Sequence, residues 1–431
     1  MEVQIISRET IKPSSPTPFH LRTHKLSLLD DLAPPVTIPL LLFYSATHVN
    51  PSKTNLQLKQ SLSKTLTHIY TFAGCLVHDS PTIIDCNDEG ATFIEAQVAI
   101  NMSVILQEAE FGQLLQLLPP CEENNNLGIQ VNYFACGGMA ICVCVSHAVA
   151  DASAVAAFLQ SWAAVACGIN NNIADYKVIF DCSSVFPPRD LSGLWKALEE
   201  TQDLIFRQDV VTKRFLFDGS KISLLRDEIS KLCPISPSSL YFPTRFEAVS
   251  ALLWKAMLDS VSENDQSSVY IGTSVNLRKR RNLPFLNRCV GNVSEFTMTE
   301  LLTEEEKNLS YLAMKIHDSI AKVDDEHVKK LHEDGEYLKI IETAMKGFGK
   351  QWMFSFSSWC RFPFYETDFG WGNPIWVGTS LRLNRVGFFL DSFDGKGIEA
   401  WLTLPPEEML KLEQDSGMLA FATFTPTTSQ F

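Results

Sequence analysis

The chain has 431 residues and a formal net charge of −14, so it is long enough for two domains. Its acidity excludes general binding to nucleic acid or to acidic membranes. Hydrophobic residues make up 45% of the chain and charged residues 20%, which is the balance of a soluble globular protein.

The predicted elements of the first half alternate between strands and helices. A proline-rich extended segment occupies 12–19, and an apolar run at 39–44 predicts a buried strand. Apolar residues then recur at helical spacing and predict an amphipathic helix, namely Leu58, Leu62, Leu66 and Ile69. Alternating residues at 129–133 and 141–146, on either side of a Gly-Gly pair, predict a β-hairpin.

A proline-containing break divides the chain near its middle. Residues 182–190 interrupt regular structure and begin a polar crossover. We therefore predict a first domain at 1–182, a crossover linker at 183–210 and a second domain at 211–431.

The second half repeats the alternation of strands and helices. It is predicted to begin with a strand at 213–218. Thr244 and Glu247 have the spacing of a capping box ahead of an apolar helix. A further helix is predicted after Thr303, and residues 394–397 are predicted to turn between two strands. The resulting fold class is α/β with mixed sheets.

One histidine is a candidate catalytic base. His147 directly follows the second strand of the predicted hairpin, and Asp151 follows four residues later, where the next helix is predicted to begin. A neutral imidazole has a pKa close to neutral pH and can deprotonate a hydroxyl group. The alternatives are a buried structural histidine or a metal ligand. A metal site is disfavoured because no other histidine lies nearby and no HExxH spacing occurs.

Together with Asp368-Phe-Gly-Trp-Gly372, this His-x-x-x-Asp motif resembles the BAHD acyltransferases of plants. The resemblance implies two domains of similar topology, of the chloramphenicol acetyltransferase-like type, with the active site in a channel between them. It implies transfer of an acyl group from coenzyme A to an alcohol or amine, with acyl-CoA as a co-substrate and no bound cofactor or metal. The expected steps are proton removal by His147 and direct transfer without an acyl-enzyme.

The resemblance also suggests roles for four other residues. Asp151 is expected to form a structural salt bridge to Arg278 of Asn276-Leu-Arg278, although it could instead orient the imidazole. Trp371 is expected to be structurally important. Asp368 has been considered as a second base in this family.

The densest positive run of the chain is a candidate site for the phosphates of coenzyme A. It consists of Arg278, Lys279, Arg280 and Arg281. The alternative is an ordinary exposed loop. Two departures from the family pattern, Cys75 at the end of Tyr-Thr-Phe-Ala-Gly-Cys and Asn373 after the DFGWG motif, leave the affinity for coenzyme A open.

We predict a monomeric cytoplasmic enzyme that moves an acetyl or short aliphatic acyl group to a hydroxyl of an alkaloid or acylsugar. The cytoplasmic address is predicted because the chain has 11 cysteines without a CxxC pair and no signal peptide. No nucleic-acid or membrane partner is predicted. The alternative function is a catalytically silent binding protein with an acyltransferase-like scaffold.

Overall fold

The computed structural model describes residues 1–45, 50–77, 80–108, 111–120, 125–169, 178–232, 241–258, 268–280, 282–302, 307–348, 350 and 353–424. The strands in these ranges are β1 Val3–Ile11, β2 Thr23–Lys25, β3 Thr37–Tyr44, β4 Cys75–Val77, β5 Ser80–Asp85, β6 Ala91–Val98, β7 Leu127–Phe134, β8 Met139–Ser146, β9 Val211–Phe217, β10 Ser268–Asn276, β11 Ser294–Leu302, β12 Met353–Ser358, β13 Trp376–Gly378, β14 Val386–Asp391 and β15 Ile398–Leu404. The helices are α1 Leu28–Asp31, α2 Pro51–His68, α3 Met102–Glu108, α4 Phe111–Gln116, α5 Ala152–Ala166, α6 Ser192–Ile205, α7 Gly219–Leu232, α8 Arg245–Leu258, α9 Leu309–Ala321, α10 Asp325–Glu333, α11 Glu336–Gly347, α12 Pro406–Gln414 and α13 Ser416–Phe421.

These elements confirm the predicted α/β class with mixed sheets. One six-stranded sheet has the order β1-β6-β7-β8-β3-β13, and the other has the order β11-β10-β12-β14-β15-β9. Each sheet combines parallel and antiparallel pairs, such as β6 with β7 and β7 with β8 in the first. A small sheet of β2, β5 and β4 completes the strand arrangement of the described chain.

The predicted hairpin forms the centre of the first sheet. Strand β8 pairs antiparallel with β7 on one side and with β3 on the other. All of its residues before Ser146 are buried, as expected of a central strand that is covered on both faces. Helices α2 and α5 pack together, and the Trp162 indole donates to the Leu58 carbonyl at 3.2 Å. The end of β8 is therefore rigidly placed.

Local predictions in the second half also agree with the structure. Thr244 and Glu247 form both hydrogen bonds of a capping box, at 2.7 and 3.2 Å, at the start of α8. The predicted turn joins β14 and β15, which pair antiparallel. Among the described helices, none has both the length and the apolar composition needed to cross a bilayer.

Two features differ from a simple division of the chain into two halves. Strand β13 lies in the second half of the sequence but pairs antiparallel with β3 at the edge of the first sheet. Half of the predicted crossover at 183–210 is the helix α6, which packs against α11. The pairing of β13 and the packing of α6 both depend on residues that are distant in sequence. A strand of three residues and a proline-containing segment give no local pattern from which such contacts could be predicted. The domain boundaries given above remain a prediction.

Candidate active site

His147 lies in the turn that joins the end of β8 to the start of α5. Its backbone amide donates to the Val36 carbonyl at 2.9 Å, and Thr37 is paired with Ser146 in the sheet. The hydrogen bond between the β8–α5 turn and the chain before β3 holds the turn in place. The imidazole therefore projects from a fixed backbone, as a positioned catalytic group requires.

Asn292 connects this turn to the second half of the chain. Its side-chain amide donates to the His147 carbonyl at 2.7 Å and to Asp30 Oδ1 at 3.0 Å. The neighbouring Gly291 has φ +128°, which favours glycine, and its carbonyl accepts a hydrogen bond from Arg278 at 3.1 Å. The Gly-Asn pair thus brings the histidine turn, α1 and the second half together.

The surroundings of His147 disfavour a positive charge on its imidazole. Burial lowers the pKa of His147 below its ordinary value, and the carbonyl of His147 itself, Asp151 and Asn292 partly oppose this effect. Nδ1 is buried and has no hydrogen-bond partner of standard geometry among the described residues. A neutral imidazole can accept a proton, so the charge state suits a general base.

Asp151 is fully occupied with structural contacts. It is the N-cap of α5, and its Oδ1 accepts from the Ala154 amide at 2.8 Å. Its Oδ2 accepts from Arg278 Nη1 at 2.7 Å and from the Val293 amide at 3.0 Å. Both partners of this ion pair are buried, and the arrangement favours the structural role of Asp151 over orientation of the imidazole.

The run of positive residues does not form a single phosphate-binding patch. The Arg278 guanidinium is buried against Asp151 and the carbonyls of Cys289 and Gly291, a placement that argues against the cofactor-binding role predicted for it. Arg280 donates to the carbonyls of Ile320 and Val323 at 2.7 and 2.9 Å.

Two residues of the run remain, Lys279 and Arg281. Lys279 is exposed. Arg281 lies outside the described residues. A role in binding coenzyme A stays a prediction for Lys279 and Arg281.

The DFGWG loop is folded around the Asp368 carboxylate. Asp368 Oδ1 accepts from the amides of Gly370 and Gly372 at 2.7 and 2.8 Å, and both glycines have φ above +100°. Trp371 stacks on Phe369 with ring centroids 5.6 Å apart. Asp368 and Trp371 thus have the contacts of a structural loop.

Asp368 lies at the opposite end of α5 from His147. Its carbonyl accepts from the thiol of Cys167, which follows the last residue of α5, at 3.3 Å. His147 lies just before the start of the same helix, whose 15 residues span about 22 Å. This separation argues against the prediction that Asp368 acts as a second base.

The His147 ring lines two cavities of different character. One, of about 180 Å³, is mainly apolar and is lined by residues such as Phe206, Phe348 and Phe388. The other, of about 90 Å³, has a larger share of polar residues in its lining than the first, namely Asp151, Ser153, Ser274, Asn276, Ser294, Ser357 and Ser358. A base placed between them can reach groups that approach from either side.

Three serines that border both cavities were missed by sequence reasoning. Ser274, Ser294 and Ser357 line the two cavities together with His147. Serines 274 and 294 lie in β10 and β11, which pair antiparallel, and Ser357 lies in β12. The only available signal is that Ser274 is two residues before Asn276 and therefore on the same face of its strand.

Comparison with known proteins identifies relatives along nearly the whole chain. A family model described as the Transferase family matches residues 1–419. Epi-neemfruitin B synthase L1AT of Melia azedarach is 44% identical over 98% of both chains. Limonoid 21-O-acetyltransferase of Citrus sinensis is 43% identical over 99% of this chain and 100% of the relative. The crystal structure of vinorine synthase superposes with a TM-score of 0.83 at 32% identity, covering 98% of this chain and 99% of that one.

Proposed function

Because this chain belongs to the Transferase family, the BAHD acyltransferases, we propose that it transfers an acetyl or other short acyl group from coenzyme A to a hydroxyl group. The observation that carries this proposal is that His147 lines both the apolar cavity and the hydroxyl-rich one. Reactants in the two cavities can therefore meet at one residue, which supports direct transfer.

The reaction requires one proton to move twice. Neutral His147 accepts the proton of the acceptor hydroxyl as its oxygen attacks the thioester carbonyl. The tetrahedral intermediate then collapses, the carbon–sulfur bond breaks, and the thiolate of coenzyme A leaves. The imidazolium returns the proton to the sulfur, so that the histidine is neutral again and no acyl-enzyme forms.

The two cavities suggest which substrate occupies which side. The pantetheine arm of coenzyme A carries two amides, and the hydroxyl-rich cavity offers hydrogen-bond partners for such groups. The apolar cavity fits the acceptor. We propose a mostly apolar polycyclic alcohol of the limonoid type, because the name of the Citrus sinensis relative specifies acetyl transfer to a limonoid.

The mainly apolar lining of this cavity favours such an acceptor over an acylsugar. An acylsugar presents several hydroxyls, and burial of an unpaired hydroxyl costs about 1–3 kcal/mol. An alkaloid alcohol with a compact ring system remains compatible with the apolar lining.

The test is the variant His147→Ala with acetyl-CoA and a panel of limonoid and alkaloid alcohols. We expect thiol release to fall by about 10²–10⁴-fold, the usual contribution of a general base, while the melting temperature stays unchanged. His20→Ala is the matched control because His20 is exposed in the N-terminal segment. Turnover by the His147 variant at the wild-type rate contradicts the mechanism.

A further inference from the structure

A third cavity adjoins the apolar one and is much larger. Its volume is about 950 Å³, compared with about 180 Å³ for the apolar cavity beside His147. The two share lining residues, including Val36 and Trp195, and Leu381 lines all three cavities. A bulky acceptor whose reacting hydroxyl reaches His147 therefore extends into the large cavity.

Asp31 is a buried carboxyl group on the wall of this large cavity. Only 6% of its surface is exposed, and Oδ2 has no hydrogen-bond partner within the described parts of the chain. The adjacent Asp30 differs, since it accepts from Ser27 at 2.6 Å and from the Asn292 amide at 2.6 Å. Burial, and then the charge of Asp30, raise the pKa of Asp31 to about 7. Such a group is costly for the fold unless a ligand pairs with it.

Ser380 provides a second unpaired polar atom in the same cavity. It is 4% exposed, and its Oγ has no partner among the residues that the structure describes. The hydroxyl of the neighbouring Thr379, in contrast, donates to the Pro39 carbonyl at 2.8 Å. Asp31 and Ser380 thus each have one enclosed oxygen without a partner in the described chain, and both residues line this cavity.

We propose that Asp31 and Ser380 bind a second hydroxyl group of the acceptor, remote from the hydroxyl that is acylated. This inference rests on the proposed function for the identity of the acceptor site. The χ2 torsion of an aspartate is broad, so the carboxyl group can turn either oxygen toward the cavity. The acceptor is then a polycyclic diol rather than a simple alcohol, and its second hydroxyl donates to Asp31 and accepts from Ser380.

The other charged residues that line the cavity carry both signs. Arg189 and Arg382 are positive, whereas Asp30 and Asp190 are negative. Asp30 already accepts hydrogen bonds from Ser27 and Asn292, and Asp190 is exposed. Because the two signs balance, these charges select neither a cation nor an anion, and the second group proposed is a neutral hydroxyl.

The experiment measures binding by calorimetry without acetyl-CoA, so that it does not depend on turnover. The probes are a limonoid with two free hydroxyls and its two mono-O-methyl ethers. We expect wild-type protein to bind the diol about 10-fold more tightly than one of the ethers, as the loss of a buried hydrogen bond predicts. Asp31→Ala and Ser380→Ala should each abolish this difference.

Two variants of the same cavity serve as controls. Asp190→Ala and Ser192→Ala alter exposed lining residues and should keep the preference for the diol. Equal affinity of wild-type protein for the diol and both ethers overturns the inference, as does the absence of binding by all three. Tight binding of the diol without thiol release from acetyl-CoA refutes the proposed function and leaves the inference standing.

Discussion

His147 combines a fixed backbone with a ring that is easily kept neutral. The hydrogen bonds to Val36 and from Asn292 involve its backbone amide and carbonyl, so they position the residue without using the ring nitrogens. Burial opposes a positive charge on the ring. The same environment that positions the imidazole therefore also opposes a positive charge on it.

The lowered pKa of His147 predicts the pH dependence of the reaction. Protonation removes the base, so kcat/KM should fall as the pH drops through the pKa of the free enzyme. Because burial lowers this pKa, the decline should begin below the ordinary histidine value of about 6.5, and the rate should be flat between pH 7 and 8. The measurement is kcat/KM for the acceptor from pH 5 to 8.5, with the melting temperature recorded at each pH. A rate that still rises above pH 7 contradicts the assignment.

At this scale the sequence predicts some residues well and others poorly. His147 and Asp151 lie close in sequence, and a strand followed by a helix fixes their relation, so their positions after β8 and before α5 can be predicted locally. Asp368 lies about 220 residues away in sequence, and nothing in its motif indicates that it reaches the far end of α5. The sequence shows that Arg278 is positively charged, but not that it is buried, because its burial depends on Asp151 in the other half of the chain.

The ion pair between Asp151 and Arg278 joins the start of α5 to the segment that follows β10. Four N–H donors satisfy the Asp151 carboxylate: the Ala154 amide and Arg278 Nη2 donate to Oδ1, and Arg278 Nη1 and the Val293 amide donate to Oδ2. A buried ion pair contributes little over an apolar pair, but removal of one partner leaves an uncompensated charge.

Loss of either partner should therefore destabilise the protein and reduce its activity together. We expect Arg278→Ala to lower the free energy of unfolding by about 3–5 kcal/mol and Asp151→Asn to lower it by a comparable amount. Urea unfolding provides the measurement. Lys339→Ala is the control, since its ion pair with Glu336 is exposed and exposed pairs contribute little to stability. A loss of rate at unchanged stability would instead show that Asp151 acts on the imidazole.

Elements with local signals were predicted, and those that depend on distant partners were not. The β7–β8 hairpin and the α8 capping box are specified by residues that are neighbours in sequence. Strand β13 has only three residues, too few for a recognisable alternation, and its pairing with β3 joins residues more than 330 positions apart. The polar lining near His147 was missed for the same reason, because its serines come from three separate strands.

The candidate site is formed by both halves of the molecule. His147 and Val36 come from the first half, and Ser274 and Ser294 come from the second. The third cavity likewise combines Asp31 with Ser380. A small change in the packing of the two halves would therefore alter all of these cavities. The shape of the site thus depends on elements that contact both halves, such as β13.

Trp376 is one such crossing residue. It lies in β13, at the edge of the first sheet, and is fully buried. Its indole donates to the carboxylate of Glu399, in β15 of the second sheet, at 3.1 Å. The Arg214 guanidinium lies 4.9 Å from its ring centroid and pairs with the same glutamate at 3.2 Å. A single side chain thus contacts both sheets.

Removal of this indole should loosen the two sheets together. We expect Trp376→Ala to lower the free energy of unfolding by about 3–5 kcal/mol and to raise amide hydrogen exchange in both β3 and β15. Trp254→Ala is the matched control, because Trp254 is equally buried but lies in the core of the second sheet alone, so its loss should raise exchange in β15 with a smaller effect in β3. If Trp376→Ala raised amide exchange in only one sheet, the two sheets would not unfold as one cooperative unit through β13. The arrangement of the candidate site would then depend on other contacts between the halves.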